Sequence, residues 1–296
     1  MSLNGFLIID KPAGFTSHDV VARVRRLLQE RSVGHLGTLD PMATGVLPLV
    51  LGNMTRLAQF YGDSVKGYEG EIRFGFSTNT YDAEGEQSPS DTSTPVETLT
   101  LENVRAAALA FVGAFEQMPP QFSAKKINGV PAYKLARKKQ EVVLAAVPVE
   151  VHEFEILDYK EGRAHFRSLV SSGTYIRCIA HELGQALGTG AHLSALRRTR
   201  VAEFSLEDAH TIGEIEANAA NPESLFVHPR KTLPELPTVT ATEEQAAWIR
   251  NGRPVNLPEL SKSKLIKVFA SQTEMLAIAS RIAGTLFQPK VVLKGD

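Results

Sequence analysis

The sequence predicts an α/β chain of the α+β type: a mixed, largely antiparallel sheet flanked by helices, then a small β-rich module. Three observations lead there. Strand-like and helix-like segments interleave without the regular strand–helix–strand alternation of a parallel sheet. At 43% hydrophobic residues over 296 positions, the apolar share supports one large domain, or a large and a small one. Pro229, Pro234 and Pro237 fall together and mark a boundary, which divides the chain into residues 1–236 and 237–296.

Taken in order, Gly5 to Asp10 reads as a strand and Lys11-Pro12-Ala13-Gly14 as a turn. Thr16 or Ser17 then caps a helix running to Leu28, with Val20, Val21, Val24, Leu27 and Leu28 on its apolar side. Gly67 to Phe76 alternates as a strand. Residues 77–98, rich in Ser, Thr, Asp and Glu, read as an exposed excursion, and Leu101 to Phe115 as an Ala-rich helix. Val147 to Leu157 and Arg163 to Val170 are expected as strands joined at Glu161-Gly162. Ile176 to Leu187 is expected as a helix stopped by Gly188 and Gly190. In the module, Thr242 caps a short helix, Glu243 to Arg250. Lys264 to Phe269 and Met275 to Ser280 form a hairpin, and Phe287 to Leu293 a last strand.

Composition then narrows the setting. The single cysteine, Cys178, cannot form an internal disulfide, so nothing calls for an oxidising compartment. The run Phe6 to Ile9 meets Asp10-Lys11-Pro12 too early for a secretion signal, and no stretch reaches the ~18 apolar residues of a membrane span. A cytoplasmic location without membrane contact is expected. A formal net charge of −1 speaks at first against a nucleic-acid partner. Divided by window, it says otherwise. Residues 117–140 carry six basic groups (Lys125, Lys126, Lys134, Arg137, Lys138 and Lys139) and no acidic one, between acidic stretches on either side. Such a window can hold a phosphate backbone, although a charged helix face in water would look the same.

Chemistry concentrates in Gly34-His35-Leu36-Gly37-Thr38-Leu39-Asp40-Pro41-Met42-Ala43-Thr44-Gly45-Val46-Leu47. Three glycines and a proline around one aspartate let the backbone approach a ligand closely and hold one carboxylate rigidly. Asp-Pro also starts ordinary turns, so the loop alone does not decide. Other motifs are missing: there is no phosphate-cradling GxxxxGK[ST], and Leu193 breaks the dinucleotide pattern that Gly188-Thr189-Gly190 begins. No GxSxG elbow occurs, and neither His181-Glu182 nor a lone cysteine supplies a metal cluster.

The Gly34–Leu47 segment strongly resembles the catalytic loop of the TruB family of tRNA pseudouridine synthases, G-H-x-G-x-L-D-P-x-A-T-G-x-L. Four further elements follow the family's order. Asp10 to Ser17 is similar to its K-P-x-G-x-T-S element, and Gln117 to Lys126, with Gly129, Tyr133, Ala136 and Arg137, to its RNA-contacting segment. Ser171 to Arg177 and His192 to Thr199 resemble two more. From about residue 238 the chain looks, more loosely, like a PUA-type RNA-binding module. Leu36 stands where Thr is common and Lys138 where Gly is frequent, and neither change removes a group the reaction needs.

The resemblance implies conversion of uridine to pseudouridine at position 55, in the T-arm of tRNA, with no metal or other cofactor. It casts three residues as catalytic: Asp40 as the essential carboxylate, Arg177 as its ion-pair partner, and Tyr68, which stacks on the flipped base and whose phenol helps to remove the C5 proton. His35, Tyr175 and Leu196 become substrate-binding residues. The basic residues of the 117–146 segment become contacts to the RNA backbone in an element that closes on the T-arm, extended by Arg197, Arg198 and Arg200. A lone worker is implied, a monomer with no obligatory protein partner. Two other classes compete: an RNA-binding or tRNA-folding protein with dispensable chemistry, and a guide-RNA-dependent enzyme inside a ribonucleoprotein. Retention of Asp40, Tyr68 and Arg177 argues against the first. The long 77–146 segment with a short C-terminal module argues against the second.

Overall fold

The computed structural model describes residues 3–88, 93–122, 126–127, 130–131 and 144–293. Strand β1 (Gly5–Lys11) leads into helix α1 (Ser17–Leu28), followed by β2 (Val33–His35), β3 (Thr44–Leu51) and β4 (Lys66–Phe74). Then come α2 (Leu101–Ala108), β5 (Gly113–Gln117) and a two-stranded hairpin of β6 (Lys126–Ile127) and β7 (Val130–Pro131). The long pair β8 (Val147–Lys160) and β9 (Arg163–Val170) is followed by α3 (Ile176–Ala186), β10 (Ala191–Val201), β11 (Phe204–Ser205), β12 (Ala209–His210) and α4 (Ile212–Ala217). Last are β13 (Thr238–Thr240), α5 (Glu243–Arg250), β14 (Val255–Asn256), β15 (Leu265–Phe269), β16 (Met275–Ala283) and β17 (Leu286–Val292).

Among the described residues, ten strands form one mixed sheet in the order β12-β1-β3-β10-β4-β9-β8-β5, with β2 added to β3 and β11 to β10. Its pairings are antiparallel except β1–β12 and β3–β10. The predicted mixed, largely antiparallel sheet is therefore present, and a second, five-stranded sheet follows it, β13-β15-β16-β17-β14.

The first sheet is apolar on both faces, which is why β1 reads as a continuous hydrophobic run. Leu7 and Ile9 point to a core shared with Val20, Val24 and Leu28 of α1 and with Ile176, Ile179 and Leu183 of α3. Phe6 and Ile8 point the other way, to a core shared with Phe204 and with Phe269, Met275 and Ile278 of the second sheet. The second sheet thus covers one face of the first, and the helices cover the other.

Capping follows the predicted chemistry. Thr16 is the N-cap of α1, its hydroxyl bonded to the Asp19 N–H and the Asp19 carboxylate bonded back, a capping box. Thr242 does the same for α5 with Gln245. The β8–β9 turn places Glu161 at φ +50° and Gly162 at φ +75°, the twist a tight hairpin requires.

Two expectations hold only in part. The helix foreseen to Phe115 stops at Ala108, passes through a tight turn, and continues as β5, where Phe115 faces Val149 of β8. Gly113 at φ +110° ends helical geometry, and the aromatic and branched side chains around it suit a strand. The excursion expected over residues 77–98 is exposed at Asn79, Ala83, Glu84, Glu86 and Gln87 and again at Ser93, Pro95, Glu97 and Thr98, but not throughout. Ser77, Thr78 and Asp82 are each 3% exposed, and Asp82 bridges to Leu193 of β10. Polar composition hid this burial because the polar groups satisfy one another.

Candidate active site

The site lies where β3 and β10 run parallel, over Thr44–Gly45 and Arg197–Arg198. Residues 36–43 leave the β2–β3 pair just before this joint and are pinned from several sides. The Leu36 N–H donates to the Pro48 carbonyl at 2.9 Å and the Gly14 N–H to the Pro41 carbonyl at 2.9 Å. Ser17, at the start of α1, accepts from the Leu39 N–H at 2.9 Å and donates to the Leu39 carbonyl at 3.2 Å. Leu36, Leu39 and Ala43 are buried as apolar pegs. Gly45, at φ +97°, lies so close to β10 that a Cβ would stand 2.2 Å from the Arg198 carbonyl oxygen. The glycine is therefore required by close approach as well as by backbone conformation.

Two cations complete the clamp. Arg198 is fully buried between β3 and β4, with Nε donating to the Val46 carbonyl at 2.8 Å, Nη1 to Thr38 at 3.2 Å and Nη2 to Gly37 at 3.1 Å. The expectation that Arg198 extends an RNA-facing surface is thus wrong: it is spent on the loop. Lys11, also fully buried, uses its three donors on the carbonyls of Pro12 (2.9 Å), Phe15 (2.6 Å) and Pro41 (3.1 Å). Burial lowers its pKa to about 8, and the nearby Asp40 charge works against that fall.

The loop so held presents Asp40 to a cavity of about 240 Å³ whose walls include Tyr68, Tyr175, Arg177 and Leu196. The Asp40 side chain is 39% exposed, and its Oδ2 stands 3.3 Å from Nε of Arg177. That N–H is not aligned on any acceptor in hydrogen-bond geometry, so the attraction is one of charge. Crowding by protein raises the Asp40 pKa above the ordinary 3.8; Arg177 opposes the shift and the Asp82 charge adds to it.

Arg177 enters from the first turn of α3, whose start is fixed by Gln117. The Gln117 Oε1 accepts from the Tyr175 N–H at 2.8 Å, and its Nε2 donates to the Tyr175 carbonyl at 3.1 Å. Arg177 is 4% exposed, and its guanidinium donates to the carbonyls of Thr80 at 3.2 Å and Phe122 at 2.7 Å, besides pairing with Asp82 at 3.5 Å. Asp82 is itself built in: its Oδ1 accepts from the Thr80 hydroxyl at 2.6 Å and the Glu84 N–H at 3.1 Å. Tyr81, the preceding residue, takes φ +66° and stacks on His181 with ring centroids 3.9 Å apart. Sequence reading missed Asp82 entirely.

Tyr68 of β4 faces Arg198 across the β4–β10 pair, with its phenol beside the guanidinium. Burial pushes the phenol pKa up, and the guanidinium opposes this. Of the residues singled out from sequence, Asp40, Tyr68, Tyr175, Arg177 and Leu196 converge on one cavity. His35 does not line it. It stands at the start of the loop, its ring edge-on to His18 with centroids 5.6 Å apart, and burial foremost lowers its pKa. Lys125, Lys134, Arg137, Lys138 and Lys139 lie outside the described residues, and of Lys126 only the backbone, in β6, is described.

Comparison with known proteins bears on the whole chain. Residues 25–176 match the model of the TruB family pseudouridylate synthase N-terminal domain, and residues 177–229 that of the tRNA pseudouridylate synthase B C-terminal domain. The chain is similar to tRNA pseudouridine synthase B of Solibacter usitatus (strain Ellin6076), 47% identical over 298 residues, covering 98% of this chain and 100% of that protein. It is similar to the protein of the same name from Bacillus thuringiensis (strain Al Hakam), 41% identical over 284 residues, covering 93% of this chain and 92% of that one. Among solved structures it shares its fold with a chain of a Cbf5-Nop10-Gar1 complex, at TM-score 0.71 and 24% identity, covering 98% of this chain and 85% of the other.

Proposed function

The chain belongs to the TruB family of pseudouridylate synthases, and from that premise we propose that it isomerises a uridine of tRNA, at position 55 of the T-arm, with Asp40 as its catalytic carboxylate. One observation carries the residue assignment: the pinned loop presents Asp40, beside Arg177, to a cavity that Tyr68, Tyr175 and Leu196 also line.

The reaction is balanced within the nucleotide. The N1–C1′ bond breaks, the base turns, and C5 bonds to C1′; the C5 proton is lost and N1 gains one. No electrons enter or leave. Asp40 must be ionised to attack the ribose or to take a proton from it. The Arg177 guanidinium favours the ionised form against the burial that raises the pKa. The target base must first leave its stack, at a cost of about a few kcal/mol, and a stacking partner offsets part of it. Tyr68 offers that ring, and burial keeps it a neutral phenol, which can hydrogen-bond while it stacks. Leu196 and Tyr175 give the base apolar walls. His35, outside the cavity, contacts the RNA that the flipped nucleotide leaves behind.

The 117–146 segment supplies phosphate contacts through Lys125, Lys126, Lys134, Arg137, Lys138 and Lys139. Residues 237–296, with a five-stranded sheet, act as a PUA-like RNA-binding module. The protein works as a cytoplasmic monomer without an obligatory protein partner.

The test is incubation of the purified protein with an unmodified T-arm hairpin and with full tRNA, followed by pseudouridine mapping. Product at the T-arm uridine is expected; none with either RNA would sink the reading. Asp40→Asn is expected to bind the RNA with near-normal affinity and to lose turnover by at least about a thousandfold, and substantial residual turnover would remove Asp40 from the catalytic role.

A further inference from the structure

Lys66 opens β4, two residues before Tyr68, so the two side chains share a face of the strand, and both line the Asp40 cavity. Among the described residues, three lysines stand out for a burial-lowered pKa, and their partners differ. Lys11 gives its three donors to three carbonyls. Lys267 donates to the carbonyls of Arg230 at 3.1 Å and Thr232 at 2.7 Å. Lys66 has one hydrogen-bond partner among the described residues, the hydroxyl of Ser172 at 3.2 Å.

Its setting is unfavourable for a lone cation. The stem passes the Gly37 backbone so closely that a Cβ there would lie 3.3 Å from Lys66 Cε, which fixes the head between the loop and the Ser172 turn. Burial and the Arg198 charge together lower its pKa to about 8, and no carboxylate among the described residues acts to raise it. A half-buried ammonium with donors to spare, beside a second cation and open to a cavity, is completed by an anion. The substrate read into this cavity carries one on each side of every nucleotide.

We propose that Lys66 is the anionic subsite of the cavity and holds a phosphodiester flanking the flipped uridine, so that its ribose is presented to Asp40. This rests on the assignment of the cavity to a flipped nucleotide. The subsite would set the depth to which the nucleotide enters, a role separate from the non-specific phosphate contacts of the basic segment. An acid–base role for Lys66 is the competing explanation, and arginine separates the two. A guanidinium binds phosphate but does not give up its proton.

The experiment uses T-arm hairpins with a methylphosphonate on the 5′ or the 3′ side of the target uridine. That linkage replaces the phosphate charge by a methyl group; matched hairpins carry the ordinary phosphate and the same 2′-methoxy protection. Dissociation constants and single-turnover rates are measured for the full-length protein, Lys66→Met, Lys66→Gln and Lys66→Arg. The wild type is expected to lose about tenfold in affinity or rate with one of the two neutral linkages, the size expected of a charge-assisted contact. Lys66→Met and Lys66→Gln should already show that loss with ordinary phosphate and lose nothing more with the neutral linkage, while Lys66→Arg recovers most of it. Equal sensitivity of wild type and Lys66→Met to the neutral linkage would overturn the subsite, as would insensitivity of the wild type or failure of arginine to rescue. Absence of pseudouridine with the unmodified hairpin would instead overturn the functional reading, and the dissociation constants would still decide the subsite.

Discussion

Two arginines are buried in this molecule to nearly the same degree, and they sit in regions of opposite design. Arg198, on β10, is fully buried and spends its guanidinium on the carbonyls of Val46, Thr38 and Gly37, beside the Tyr68 phenol. Arg177, on α3, is 4% exposed and divides its guanidinium between the carbonyls of Thr80 and Phe122 and the carboxylates of Asp82 and Asp40. Both avoid the penalty of an unpaired buried charge. Carbonyl dipoles, however, cannot titrate, so the Arg198 region is a fixed frame. Carboxylates can, so the Arg177 region couples structure to proton affinity. The frame shapes the loop; the coupled pair tunes what the loop presents.

The comparison breaks if Arg198 proves dispensable. Arg198→Met keeps much of the volume but leaves three loop-region carbonyls without their donor. At about 1 kcal/mol or more for each buried unsatisfied group, a loss of about 3 kcal/mol is expected, a fall in Tm of several degrees. Turnover should vanish with it, because the loop that carries Asp40 has lost its clamp. Calorimetry and circular dichroism give the answer, and a variant that melts with the wild type would show that the carbonyls find other donors.

Arg177→Met should act on chemistry more than on the frame. The Thr80 and Phe122 carbonyls and Asp82 lose a donor, so some stability is lost, but the larger effect is expected at Asp40. Removing a cation aimed at reacting charge costs about a hundredfold in turnover in comparable sites. The sign of the pH effect is fixed. Burial already raises the Asp40 pKa and Arg177 holds it down, so without Arg177 the pKa climbs further. If turnover needs the carboxylate, the acid limb of the single-turnover profile moves to higher pH. An unmoved limb would uncouple the pair.

The frame was partly legible in the sequence and the coupling only half so. Alternating and continuous apolar runs predicted β1, β4, β8 and β9, because a strand buried on one or both faces cannot disguise its pattern. The loop stood out because glycines and Asp-Pro are needed where backbone passes backbone, as Gly45 does against Arg198. Arg198 is expected at the surface from its charge and lies buried instead, because β10, which turns it inward opposite Tyr68, carries no regular apolar period. Asp82 was missed for a deeper reason. Its neighbours Thr78 and Thr80 are polar and Tyr81 is held at φ +66°, so no apolar period announces a buried segment. Networks that satisfy themselves look, in one dimension, like loops in water. The helix expected to Phe115 ends early because alanine content favours a helix only as far as the turn before Gly113, whose φ of +110° starts β5.

Asp82→Asn gives the finest test, because it alters the coupled pair with almost no change in shape. The Oδ1 of asparagine can still accept from the Thr80 hydroxyl and the Glu84 N–H, so the segment should keep its path. What changes is charge: the Asp82 carboxylate raises the Asp40 pKa, and the amide does not. The acid limb should therefore move to lower pH, opposite to the shift in Arg177→Met. A neutral residue at 82 also leaves Arg177 anchored by two carbonyls and Asp40 alone. The guanidinium should be drawn toward Asp40, with turnover at neutral pH falling about severalfold as the carboxylate becomes less reactive. Opposite displacement of the two limbs, read by single-turnover kinetics between pH 5 and pH 8, is the signature of three charges acting as one unit. Displacement in the same direction would mean that Asp82 serves only to hold the segment in place.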